Sequence, residues 1–193
     1  MNHAFFAMMS RMKYIERWAL MRNSKQETVS EHALQVGMIA HALAVISITR
    51  CGKTVDPEKA ALLGMYHDAS EIITGDMPTP VKYHNHEIQD AFQSLEEKAN
   101  QQLLSMLPED MQPYYRSLFI PTEEDAYVHR LVKAADKLSA YIKCVEELKA
   151  GNSEFRDAAV QTRAALEEYE LPEVTYFLET FMPSFSLTLD QLK

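Results

Sequence analysis

The stretch Leu62-Leu63-Gly64-Met65-Tyr66-His67-Asp68-Ala69-Ser70-Glu71 decides how this chain is read. Its apolar residues recur at helical spacing, and an imidazole and a carboxylate stand side by side within it. Both groups are good ligands for a divalent cation. Adjacent helical residues point about 100° apart, so both can grip one ion only where the helix faces a site from the side. His67 and Glu71 lie four residues apart and share a face. Their helix is rich in Ala, Leu, Met and Ile, so that face lies close to the core, where a buried imidazole or carboxylate needs a partner.

Two other segments repeat the pattern of one polar ligand inside an apolar helix. His32 lies in Val29-Ser30-Glu31-His32-Ala33-Leu34-Gln35, and Asp136 in Lys133-Ala134-Ala135-Asp136-Lys137-Leu138. Taken singly, each has a bland reading: a packed histidine, a solvated aspartate. Together, two histidines and two aspartates make one mixed nitrogen and oxygen metal site. His41, His84, His86 and His129 have no adjacent carboxylate in a matching setting and read as structural or surface residues.

Composition bounds the rest. A chain of 193 residues, 47% hydrophobic, is one globular domain, 1–193, with a real core. A net charge of -9 without a long basic run argues against a nucleic-acid polymer as partner. The two cysteines, Cys51 and Cys144, read as free thiols of an intracellular, cytoplasmic chain. The apolar stretch at Met1–Ser10 has no basic leader and reads as a first helix rather than a signal peptide. No stretch approaches the length that spans a membrane, so no membrane partner is expected.

The chain has five glycines, no phosphate loop and no alternating strand pattern, which predicts an all-α fold. Helices are expected over roughly 2–15, from an N-cap at Ser30 to Arg50, from Asp56-Pro57 through His67-Asp68 to Thr74, over 87–106, in a short piece within 108–120, from a Thr122/Asp125 capping box to Ala150, and over 153–169 and 172–182. The second helix is expected to turn Leu34, Met38, Ala42 and Val45 inward. Two prolines make Asp76-Met77-Pro78-Thr79-Pro80 a loop.

His32, His67-Asp68 and Asp136, all on helices, resemble the HD-domain metal-dependent phosphohydrolases, whose fold is a single helical bundle. Within that family the chain is most similar to the bacterial 5′-deoxynucleotidase branch. The likeness is carried by Arg17-Trp18, Val29-Ser30-Glu31-His32, Tyr66-His67-Asp68-Ala69-Ser70-Glu71, Gly75-Asp76-Met77-Pro78-Thr79-Pro80-Val81-Lys82 and Ala135-Asp136-Lys137-Leu138-Ser139-Ala140-Tyr141. It implies that His32, His67, Asp68 and Asp136 hold one divalent cation per chain, be it cobalt, manganese, zinc, iron or magnesium. It further implies that Glu71 is the acid/base residue, that Arg17 binds the 5′-phosphate and Trp18 packs near the sugar. Asp76 would receive the 3′-hydroxyl, and Thr79 would touch substrate. The implied activity is hydrolysis of deoxynucleoside 5′-monophosphates by a homodimer, with ribonucleotides and 3′-monophosphates disfavoured.

On the bland side, Arg17 could pair with Glu16 or Glu31, Trp18 could be a core aromatic, and Asp76 a turn residue. Two rival functions remain at this point: another nucleotide hydrolase such as a phosphodiesterase, and an HD-fold regulatory module without turnover. A substrate panel separates the first, and chelator-sensitive phosphate release the second.

Overall fold

A computed structural model describes residues 3–82 and 84–193. Among these residues there are ten α-helices and no strand: α1 Phe5–Met9, α2 Val29–Cys51, α3 Pro57–Tyr66, α4 Glu71–Thr74, α5 Thr79–Lys82, α6 His86–Ser105, α7 Gln112–Phe119, α8 Ala126–Lys149, α9 Arg156–Glu167 and α10 Pro172–Thr180. Short 3-10 turns connect or follow several of them, at Ser10–Tyr14, Glu123–Asp125, Ser153–Phe155, Met182–Ser186 and Leu189–Leu192.

Local chemistry sets the helix ends. Thr28, not Ser30, caps α2: its side chain accepts from the Glu31 amide, and the Glu31 carboxylate returns to the Thr28 amide. Gly52 ends α2 at φ 65°, a left-handed conformation that costs glycine little. Asp56 caps α3 through the Glu58 and Lys59 amides, with Pro57 in the first turn.

The core lies between α2, α3, α8 and α10. Ile39, Leu43, Ala60, Leu63, Leu131, Leu138, Ile142, Val174 and Phe177 belong to one buried cluster. Where α2 and α3 cross, glycine faces glycine. A Cβ on Gly64 would lie 2.8 Å from the Gly37 Cα and 3.0 Å from the Val36 carbonyl oxygen. Those neighbours are backbone and cannot swing aside, so the two helices touch as closely as bare main chain allows.

Several expectations need correcting. The first helix, whose expected start at residue 2 lies outside the described residues, is α-helical only to Met9 and tightens into a 3-10 turn over Ser10–Tyr14. The inward face of α2 is Val36, Ala40, Leu43 and Ala44, whereas Leu34 (51% exposed), Met38 (58%) and Val45 (37%) face outward. The helix is apolar all round, so periodicity cannot say which side is in. The same property makes α2, at 23 residues, long and apolar enough to cross a membrane by length and composition. In the structure 56% of its apolar window is buried among the other helices. Thr79–Lys82 forms one helical turn, because Pro80 sits in its first turn, where a missing amide hydrogen is no loss. The Thr122 hydroxyl donates to the Asp125 carboxylate at 2.7 Å instead of capping the long helix, which starts at Ala126.

Candidate metal centre and substrate cleft

The chain leaves the α-helical hydrogen-bond ladder at the residues that matter, though His67 and Ser70 keep right-handed backbone angles. After Tyr66 it runs through tight turns, with the Ala69 amide donating to the Tyr66 carbonyl and the Glu71 amide to the Asp68 carbonyl, both at 3.0 Å. His67 and Asp68 therefore sit in a bend between α3 and α4, where the sequence predicts continuous helix. Both side chains nevertheless reach one site, with the His67 Nε2 and the Asp68 Oδ2 in contact.

There they meet His32 from α2 and Asp136 from α8. The His67 Nε2 is 3.0 Å from the Asp68 Oδ2, and the His32 Nε2 is 3.4 Å from that oxygen and 3.1 Å from the Asp136 Oδ1. The His67 Nε2 lies 4.0 Å from the Asp136 Oδ1. One donor atom each of His32, His67 and Asp68 lies within 4.8 Å of the others, a grouping able to hold a metal ion. Asp136 flanks that trio and is its most exposed member, with 38% of its side chain accessible.

The imidazoles are oriented from behind. The His67 Nδ1 lies 2.8 Å from the Gly64 carbonyl, which can only accept, so Nδ1 carries the proton. The Ser139 hydroxyl donates to the Gln35 Oε1, leaving its lone pairs to accept from the His32 Nδ1 at 3.0 Å. Both Nε2 atoms thus point their lone pairs into the site. They are buried without a well-formed hydrogen bond even though carboxylate oxygens stand close. Donors that converge without bonding one another fit a shared cation. Neighbouring ligands about 2.1 Å from one centre are themselves about 3.0–3.4 Å apart.

Electrostatics tell the same story. Burial opposes charge on His67, yet Asp68 and Asp136 hold its pKa up at about 9. Burial likewise opposes charge on Asp136, but His32 and His67 keep it down at about 2, and Asp68 is also held well below the usual carboxylate range.

Arg17 closes the pocket. Its Nη1 lies 3.2 Å from the Asp68 Oδ2 and its Nη2 4.0 Å from the Asp136 Oδ1, with 13% of the side chain exposed. The bland pairings with Glu16 or Glu31 are not its contacts. Glu71 is buried at the start of α4, and its Oε2 has no hydrogen-bond partner. Burial, then Asp68 and Asp76, push its pKa up to about 9 against the pull of Arg17 and Lys82. Asp76 is half-buried beside Arg17; burial raises its pKa, while Arg17 and the Trp18 amide work the other way. Trp18 stacks at a tilt on Phe155, ring centres 5.4 Å apart, and so partly fills the bland role of a packed aromatic. Thr79 is exposed on the first turn of α5.

Ser139, Gln35 and the Gly64 carbonyl have no place in the sequence reading. Helical spacing could have found two of them, since Gln35 lies three residues after His32 and Ser139 three after Asp136.

Comparisons with known proteins agree with this geometry. Residues 4–185 match the model of the family described as 5′-deoxynucleotidase YfbR-like. A 5′-deoxynucleotidase of Vibrio cholerae is 49% identical over 188 residues, covering 97% of each chain. The 5′-deoxynucleotidase YfbR of Escherichia coli is 51% identical over 191 residues, covering 97% of this chain and 94% of the relative. Among solved structures, an HD-domain phosphohydrolase of Listeria innocua superposes with a TM-score of 0.82 at 26% identity, covering 95% of this chain and 88% of its own. A cyanophage S-2L HD phosphohydrolase, bound to dA and one catalytic zinc ion, shares the fold with a TM-score of 0.63 at 17% identity, covering 92% of this chain and 96% of its own. The architecture is the all-α HD fold.

Proposed function

The chain belongs to the YfbR-like family of 5′-deoxynucleotidases, a family of hydrolases, and from that premise we propose how its own residues carry out and restrict the reaction. The proposed reaction is hydrolysis of deoxynucleoside 5′-monophosphates to deoxynucleoside and phosphate, with ribonucleotides and 3′-monophosphates disfavoured. The observation that carries it is the placement of the Arg17 guanidinium across Asp68 and Asp136, in the same cleft as Glu71 and Asp76.

His32, His67, Asp68 and Asp136 would hold one divalent cation. When bound, it supplies Lewis acidity toward water and cancels charge on a phosphate dianion. Arg17 offers a planar fork to the phosphate oxygens and stays charged, its pKa raised by the surrounding carboxylates in spite of burial. Glu71 is placed to hold or release a proton beside the scissile bond, its carboxyl raised first by burial and then by Asp68 and Asp76. Asp76 accepts from the sugar 3′-hydroxyl, and a 3′-phosphate there would set like charges together. Trp18, adjacent to Arg17 and with its amide toward Asp76, closes the space beside C2′. Thr79 is the outermost substrate contact, at the rim.

The enzyme acts in the cytoplasm as one domain, 1–193, with neither membrane nor nucleic-acid polymer as partner. It is a homodimer, for which α2 offers a self-complementary outer stripe: Leu34, Met38, Val45 and Ile48, flanked by Leu62 and Met65 of α3, all at least 37% exposed.

The test is phosphate release from a 2′-deoxynucleoside 5′-monophosphate, its ribo counterpart and the 3′-monophosphate, with and without a chelator, in wild type and Trp18→Ala. Release from the deoxy 5′-substrate only, abolished by chelation, is expected. Trp18→Ala is expected to narrow the gap between sugars, since an unpaired buried hydroxyl costs about 1–3 kcal/mol. Equal turnover of both sugars by wild type would refute the selectivity.

A further inference from the structure

One acidic side chain outside this set touches both Arg17 and Trp18, the residues proposed to hold the phosphate and to pack on the sugar. The Glu27 Oε2 lies 3.4 Å from the Arg17 Nε and accepts the Trp18 indole N–H at 3.2 Å. Glu27 is 15% exposed. Its backbone takes part as well: the Arg17 amide donates to the Glu27 carbonyl at 2.9 Å, and Glu16 and Thr28 form an isolated antiparallel bridge beside it.

We propose that Glu27 is a positioning residue that aims the Arg17 fork at the phosphate and locks the Trp18 ring against the sugar. The inference rests on the assignment of Arg17 and Trp18 made above. It meets Arg17 at Nε, whereas Asp68 and Asp136 face the two terminal nitrogens, so it can orient the guanidinium while leaving the end formed by those two nitrogens toward the ligand floor. It meets Trp18 at a residue whose backbone is left-handed, φ 59°, a conformation costly for a bulky side chain that the surroundings must hold.

The arm carrying Glu27 is itself pinned to α8. Glu147 accepts from the amides of Ser24 (2.8 Å) and Lys25 (3.3 Å) and from the Asn152 side chain (2.8 Å). Lys143 pairs with Glu147 and also donates to the Lys25 carbonyl. The helix that presents Asp136 therefore also fixes, about two to three turns further on, the arm from which Glu27 reaches Arg17 and Trp18.

A plain loop staple would affect stability alone. Positioning instead predicts a split between two substitutions. Glu27→Gln keeps an oxygen for the indole N–H but removes the charge facing Arg17. It is expected to raise KM about tenfold for both sugars, by releasing the ion pair that holds the guanidinium in place, while leaving the deoxy-to-ribo ratio of kcat/KM near wild type. Glu27→Ala loses both contacts and is expected to raise KM and also lower that ratio. Trp18→Phe, which keeps a ring but has no N–H, is expected to reproduce the lowered ratio without the rise in KM for the deoxy substrate.

These quantities are read on folded protein, with melting temperature measured alongside. A lower melting temperature with KM and ratio unchanged in Glu27→Ala overturns the proposal. So does an equal loss of selectivity in Glu27→Gln and Glu27→Ala, which would detach the indole bond from the effect. If Arg17→Ala leaves KM alone or Trp18→Ala leaves the ratio alone, the underlying assignment has failed. If both of those move and Glu27→Ala does not, only the role of Glu27 is lost.

Discussion

The two walls of the cleft are built in opposite ways. One is the ligand floor, where His32, His67, Asp68 and Asp136 come from α2, the bend after α3, and α8, each backed by close-packed helices. The other is the arm over residues 15–28, which joins one isolated bridge to a series of side-chain-to-backbone hydrogen bonds and contains no α-helix. Chemistry common to phosphate hydrolysis sits on the floor, where packing fixes donor positions. The proposed phosphate fork and the proposed sugar-packing ring sit on the arm, where a few polar contacts set the position of Arg17 and Trp18. A loop held by named hydrogen bonds can be altered one contact at a time; a floor held by main-chain contact cannot.

Breaking the floor is expected to have the largest effect. Asp68→Ala removes an oxygen that faces His32, His67 and Arg17 together. Activity is expected to fall to background and divalent-metal affinity to fall by more than the roughly 10–100-fold typical of losing an outer partner. Metal content measured beside turnover checks this, and full occupancy with full activity would remove Asp68 from the site. Glu71→Gln sharpens the division within the floor. It is expected to keep the metal and lower turnover by about 10²–10⁴, the usual contribution of a general acid or base. Loss of metal in proportion to activity would make Glu71 a ligand instead.

The arm gives the smallest effect, and one tied to pH. Burial raises the pKa of Glu147, but Lys143, Asn152 and Ser24 outweigh it and hold the group well below the usual carboxylate range. A depressed folded-state pKa means stability that is full above the unfolded value, about 4.3, and is lost as the pH falls below it. Glu147→Gln, which leaves Lys143 buried without its anion, is expected to cost on the order of 3 kcal/mol at pH 7. The gap in melting temperature between the two proteins is expected to narrow as the pH falls below about 4. A gap that stays constant with pH would show that the ionised carboxylate does not anchor the arm.

How far the sequence could be read also divides along these walls. The helical ligands of the floor announce themselves, because His or Asp inside a run of Ala, Leu and Val is conspicuous. The helix start at Asp56-Pro57 follows from turn chemistry for the same local reason. The inward face of α2 is hidden, since Leu34 and Leu43 look alike in sequence and differ only in what packs on them. The bend at His67-Asp68 is hidden too: Met65, Ala69 and Glu71 around it are good helix residues, and tertiary packing overrides their preference. Glu27 and Glu147 act across separations of nine to ten residues and more than a hundred, which no local pattern records.

The contact between Gly37 and Gly64 ties two tolerances together. The Gly64 carbonyl receives the His67 Nδ1 proton, and the Gly64 α-carbon faces the backbone of α2 five residues beyond His32. A methyl group added at position 64 would force α3 away from α2, and the acceptor that fixes His67 would move with it. The spacing of the two imidazoles and the choice of which nitrogen faces the cleft thus share a single mechanical reference. A change in donor spacing that leaves this reference undisturbed has to come from the Asp136 side, so the pocket is adjustable along one direction and stiff along the other.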